Sequence, residues 1–258
     1  MTRKLRLSLI GDSICSYAGC IPAGNKVHYT GSKQGVTSPD QMWWSVLCRE
    51  LGMEPLVIEA WSGSTVTCGV RDPAVYRAAS DTSRCQNLHK GEILPDVILI
   101  AMGVNDYSYG APIGSWCGKT PLEDDVSNFR AAYGTMLKRI RIRYPFALTV
   151  CLTPWFTMRG IDVGETYVNE AWGLTAEDYG QALTEVAHLF GCPVIDATHI
   201  GFNRWNFYAE DGSRFCEDTP LRPTHPNARG QRVMGLAVAR ALKPLLPAEP
   251  YFAQPKEE

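Results

Sequence analysis

Apolar positions along this chain fall into two alternating rhythms. Short unbroken apolar runs read as strands buried on both faces, and longer stretches with apolar residues every three or four positions read as helices. Leu5 to Ile10 is the first such run, and Pro55 to Ala60 the second. Val97 to Met102 carries no polar residue at all. Ala147 to Leu152 and Pro193 to Asp196 complete a set of five expected strands. Between them, Ser38-Pro39-Asp40 is a helix start, with proline in the first turn and Gly52 as the stop. Met42, Trp43, Val46, Leu47 and Leu51 make the stripe of that helix. Further helices are expected near 73–80, over 121–144, over 175–190 and from Pro226 to Leu246.

Strands alternating with helices argue for a single-domain α/β/α sandwich around a parallel, doubly wound, flavodoxin-like sheet of five strands. Such sheets bind ligands beyond the C-terminal ends of their strands. One domain is expected over 1–246, with a loosely ordered tail over 247–258 that is rich in proline and charge. A length of 258 residues fits one large domain, and 45% apolar residues fit a packed core. A formal charge of −2 argues against nucleic acid or an anionic membrane as partner. No apolar stretch is long enough to span a bilayer. The nine cysteines include no C-x-x-C pair and no zinc-finger spacing, so they read as reduced, mostly buried thiols. With no glycosylation sequon and no signal-like apolar segment, the expected compartment is the cytoplasm.

Chemistry concentrates where the predicted strands end. The first strand stops at Gly11-Asp12-Ser13 and presents a hydroxyl. Gly63 lies in the turn Trp61-Ser62-Gly63-Ser64-Thr65, after the second strand. Asn105 lies in Gly103-Val104-Asn105-Asp106, after the third. His225 lies in Thr224-His225-Pro226-Asn227, just before the last helix. A serine hydroxyl needs a base to become a nucleophile, and histidine suits this because its ordinary pKa is about 6.5. A glycine without Cβ lets its backbone approach a ligand closely. His188 sits in a helical stripe, and His28, His89 and His199 sit in loops as secondary candidates. There is no G-x-S-x-G elbow, P-loop, dinucleotide fingerprint or H-E-x-x-H.

In this order, the four blocks resemble the SGNH (GDSL-type) hydrolase family, over residues 5 to about 240. The resemblance implies a serine esterase with Ser13 as nucleophile and His225 as base. It implies an oxyanion hole made by the Ser13 N–H, the Gly63 N–H and the Asn105 amide. It implies a short acyl group, acetyl above all, on a carbohydrate, with no metal or organic cofactor. The alternatives are a lysophospholipase or thioesterase for longer chains, and a degenerate domain that binds acylated glycan without turnover. The expected partner is therefore a small-molecule or oligosaccharide ester. One position departs from the family pattern: the carboxylate that should orient the histidine falls at Arg222. Arginine only donates hydrogen bonds and cannot hold an imidazole N–H. Asp218, Glu217 or a backbone carbonyl remain as substitutes. Asp12 and Asp106 read as loop anchors. Aromatic residues crowd the same region, among them Tyr17, Trp43, Trp44, Trp61, Tyr107, Tyr109, Trp116, Trp155 and Trp205. Flat rings beside a polar site suit sugar faces or aromatic acyl groups. Trp43 and Trp155 read rather as core, and Trp44, next to Trp43 on a helix, as facing the surface or the site.

Overall fold

The computed structural model describes residues 3–115, 125–164, 166–218 and 223–246. Arg222, Trp116, the start of the helix expected over 121–144 and the tail over 247–258 lie outside them. In chain order the elements begin with β1 (Arg6–Gly11), a 3-10 turn at Ser13–Cys15 and another at Pro39–Gln41. Then come α1 (Trp43–Leu51), β2 (Glu54–Ala60), α2 (Thr82–Gln86), β3 (Val97–Ala101) and α3 (Val104–Ser108). α4 (Phe129–Arg143), β4 (Leu148–Leu152), β5 (Ile161–Val163), β6 (Thr166–Val168) and α5 (Ala176–Leu189) follow. β7 (Val194–Ile195), α6 (Ala228–Leu242) and a 3-10 turn at Lys243–Leu245 close the chain.

The main sheet runs β2-β1-β3-β4-β7 with every pairing parallel, the flavodoxin-like order expected. The reason β3 reads as one apolar run is visible in its alternation. Val97 and Leu99 enter the core on one face, with Trp43, Leu47, Met234 and Val238 of α1 and α6. Ile98 and Ile100 enter the other, with Phe129, Met136, Tyr179 and Leu183 of α4 and α5. Both faces are covered, so polar positions have no place along the strand.

Ser38 and Gln41 form a capping box on the 3-10 turn Pro39–Gln41 that leads into α1, and Gly52, at φ +66°, ends α1 in the left-handed conformation. The helix expected over 73–80 is absent. There the chain spends its polar groups across the fold: the Ala79 N–H donates to Thr65 O and the Ser80 hydroxyl to Val66 O. α2 starts only at Thr82, capped by Asp81. α4 starts at Phe129 because the Asn128 side chain accepts from the Ala131 N–H, which caps it there. α6 likewise starts after its cap, Asn227, rather than at Pro226. The β5–β6 hairpin and the single turn of α3 carry too few residues for a periodic signal. No helix among the described residues is long and apolar enough to cross a membrane.

Candidate active site

The first sheet strand and the last helix are bolted together before any chemistry is added. β1 ends at Gly11, where Asp12 turns the chain by accepting from the Ile14 N–H at 2.9 Å. Gln231 of α6, fully buried, reaches back to this turn. Its Nε2 donates to Ile14 O and to the Tyr29 hydroxyl, and its Oε1 accepts from the Trp43 N–H. The Tyr29 hydroxyl donates in turn to Pro226 O. This network fixes the Ser13 turn against the start of α6, and so against His225.

The geometry that results is short and directional. His225 Nε2 lies 2.9 Å from Ser13 Oγ. On the other side of the ring, Nδ1 lies 2.6 Å from Asp218 Oδ2. A carboxylate there accepts the Nδ1 proton, which leaves Nε2 as the acceptor facing the serine hydroxyl. The same Asp218 oxygen accepts from the His225 backbone N–H at 3.2 Å. The His225 and Asp218 side chains are only 17% and 15% exposed, so water screens the pair weakly. The acceptor expected at position 222 thus stands four residues earlier. The cause is local: Cys216 pairs with Pro226 in an antiparallel bridge, and the Cys216 thiol donates to His225 O. That bridge holds Cys216 beside Pro226, and with it sets Asp218, two residues on, against the ring of His225. Glu217 turns instead toward Gly212.

His28 adds a second imidazole. Its ring stacks on His225 at 3.6 Å with 13° between the planes, and its Nε2 meets Gln34 Oε1 at 3.2 Å. Burial, and then the nearby charge of His225, push its pKa down to about 3. At neutral pH it is an uncharged plate that holds the His225 ring without competing for its proton.

The β2 and β3 ends are tied to each other in the same way. Gly63 stands at φ +81°, and a Cβ there would lie 2.8 Å from Tyr76 Cε1 and 2.9 Å from Arg71 Nη1. Both the backbone and the packing therefore demand glycine. Asn105 Nδ2 donates to Ser64 O at 2.9 Å. Asp106 accepts from the Val66 N–H, the Thr67 N–H and the Thr67 hydroxyl, the anchoring role expected of it. Burial still pushes its carboxyl up to about 6 against those three donors. Burial pushes Asp12 up to about 7, in keeping with an Oδ2 that is enclosed and has no hydrogen-bond partner. Arg84, 2% exposed, completes the frame. It donates to Gly11 O, to the Ser64 hydroxyl and to Glu59 Oε1, joining the ends of β1 and β2 to the Gly63 turn.

Ser13, Gly63, Asn105 and His225 all line one cavity of about 340 Å³. The four blocks are brought together at the strand ends, where the sheet topology places them. The aromatic expectation fares differently. Trp43 and Trp155 pack edge-on in the core, 5.3 Å apart. Trp44 is also buried, 3% exposed, with its indole N–H on Cys15 O behind the serine turn rather than in the cavity. Tyr107 is buried with its hydroxyl on Arg159 O, and Trp205 stands 62% exposed. Tyr109 does line the cavity, together with Tyr76. No described tryptophan does. Among the described residues, no group of three or more His, Cys, Asp or Glu side chains could hold a metal ion. The arrangement suits nucleophilic attack on an acyl carbon: a hydroxyl, a base oriented by a carboxylate, and amide donors beside them.

Known proteins of similar sequence and shape fit this geometry. The family model of the GDSL-like lipase/acylhydrolases matches residues 5–154. No curated protein sequence matches the chain. A protein of Bacteroides ovatus described as a GDSL-like lipase is 19% identical, with a TM-score of 0.67 over 94% of this chain and 100% of its own. One from Bacteroides uniformis, described in the same way, is 23% identical, with a TM-score of 0.67 over 93% of this chain and 96% of its own. The aryl esterase of M. smegmatis is 20% identical, with a TM-score of 0.56 over 94% of this chain and 100% of its own. At these identities the likeness to the solved structures is one of fold.

Proposed function

Because this chain belongs to the GDSL-like lipase/acylhydrolase family and is a carboxylic ester hydrolase, we propose that it works through an acyl-enzyme on Ser13. Ser13 Oγ attacks the acyl carbon while His225 Nε2 takes its proton. Asp218 stabilises the imidazolium that forms. The oxyanion is held by the Ser13 N–H, the Gly63 N–H and the Asn105 amide. Ser13 opens its 3-10 turn, so its N–H has no acceptor within that turn. The Gly63 N–H makes no hydrogen bond among the described residues. One Asn105 amide hydrogen is held by Ser64 O, which orients the other. His225 then returns the proton to the departing alcohol, and water releases the acyl group by the reverse path. The observation that carries this reading is the Asp218–His225–Ser13 chain, at 2.6 and 2.9 Å. It also removes the support for a degenerate domain, which rested on Arg222 standing at the carboxylate position.

The substrate in this reading is a short acyl ester, acetyl first, of a polar alcohol such as a sugar. The cavity walls support it. Lys26, Ser62, Arg71, Asn105 and Arg159 are polar, and Val27 is the one aliphatic side chain larger than glycine among the described lining residues. A long alkyl chain would find no continuous apolar wall. A cytoplasmic setting belongs to the same reading, supported by eight described cysteines that are all free thiols. A series of p-nitrophenyl esters from acetate to octanoate tests the acyl length. If the chain stays in water, kcat/KM is flat or falls with length. If it is buried, each methylene contributes ~0.8 kcal/mol, and kcat/KM climbs about fourfold per carbon. A steady climb would replace acetyl ester hydrolysis with the lysophospholipase or thioesterase reading.

A further inference from the structure

One wall of the cavity is a ladder of alternating cations and tyrosines. Lys26 Nζ lies 4.3 Å from the Tyr76 ring centre. The Arg71 guanidinium is sandwiched, 3.5 Å from Tyr76 and 4.0 Å from Tyr109. Arg159 covers Tyr109 at 4.9 Å. All five residues line the same cavity as Ser13 and His225, and among the described residues no carboxylate shares that lining. None of the three cations has an ion pair among the described residues. Glu170 shares an adjoining cavity with Arg159, so it can temper that charge but does not line the wall with Arg71 and Lys26.

Three unpaired cations beside a reaction centre, on a chain whose formal charge is −2, are a local feature and not the overspill of a basic protein. Stacking on tyrosine leaves the guanidinium edge free to donate, and that edge matches a carboxylate in bidentate geometry. Arg71 uses one Nη1 bond on Gly63 O, at 3.2 Å, which fixes its plane. Arg71 and Tyr76 pack over Gly63 itself, so the ladder adjoins the Gly63 turn. We propose that this wall is an anion subsite, and that the ester hydrolysed carries a carboxylate, on either its acyl or its alcohol part. This rests on the Ser13 ester-hydrolase reading and specifies its substrate class.

Two matched pairs of esters test it. Mono(p-nitrophenyl) adipate against its methyl ester places the charge on the acyl side. Para-carboxyphenyl acetate against its methyl ester places it on the alcohol side. In at least one pair the acid should exceed its neutral twin in kcat/KM by ~10-fold at low salt, the worth of one charge-assisted hydrogen bond, and the ratio should shrink as salt is added. The double variant Lys26→Gln, Arg159→Gln, which leaves the Arg71 bond to Gly63 O in place, should cut that ratio at least about threefold while the neutral twin keeps its rate within about threefold. Neutral esters turned over with no preference for either acid would overturn the subsite and leave the Ser13 reading standing. An equal loss on both members of a pair would make the ladder a packing wall, or a general support of the oxyanion, and would also overturn it. No turnover of any ester would count against the Ser13 reading itself.

Discussion

Ser13→Ala is expected to lower kcat on p-nitrophenyl acetate by ~10⁶-fold, the scale on which an acyl-enzyme pathway loses its nucleophile. What remains would be the rate supplied by the amide donors alone, well below that of the wild type. The loss should not be a loss of fold. The Ser13 hydroxyl makes one side-chain hydrogen bond, to His225, and its backbone is held by the Asp12 turn and the Gln231 network. A single such bond is worth about 1 kcal/mol net, so the melting temperature should move by only a few degrees. Steady-state rates and a thermal melt on the same preparation check both halves. A variant that keeps more than a small fraction of the wild-type rate would mean that acyl transfer does not pass through this residue.

Asp218→Asn should cost ~10⁴-fold in kcat, with little change in stability. The physical reason is the tautomer. The Asp218 carboxylate can only accept from Nδ1, which keeps Nε2 bare toward Ser13. An amide in its place can present N–H instead. The ring then takes its proton on Nε2, and the base is blocked. Glu217→Gln is the matching control, because Glu217 sits beside Gly212 and not beside the ring. Its kcat should stay within about threefold of wild type. The reverse outcome, a large loss at Glu217 and a small one at Asp218, would move the orienting group and undo this part of the account.

These residues also show what could and could not be read from the chain. Ser13, Gly63 and Asn105 were legible because each follows a strand whose apolar run ends abruptly, and a parallel sheet gathers such ends on one edge. His225 was legible from its place at the start of a helix. Asp218 stayed open because its position depends on the Cys216–Pro226 bridge, a contact with no periodic signature. Family spacing points to Arg222, and an acid four residues earlier, Asp218, does the same job. Gln231 and Arg84 carry no sequence signal for a related reason. Each looks like an ordinary polar residue near a helical stripe, and only the three-dimensional path shows what it bonds. Trp44 is buried, against expectation, because α1 has two buried sides, facing α6 on one and the serine turn on the other. The helix expected near 73–80 failed because that segment hydrogen-bonds across to Thr65 and Val66 instead of to itself.

Labelling with a fluorophosphonate, followed by intact mass and peptide mapping, puts the central claim to its most direct trial. The account predicts one adduct per chain, placed on the peptide that contains Ser13, formed slowly or not at all once Asp218 is asparagine, and absent when Ser13 is alanine. A chain that takes no label while hydrolysing esters, or one whose label maps to another side chain, would contradict it.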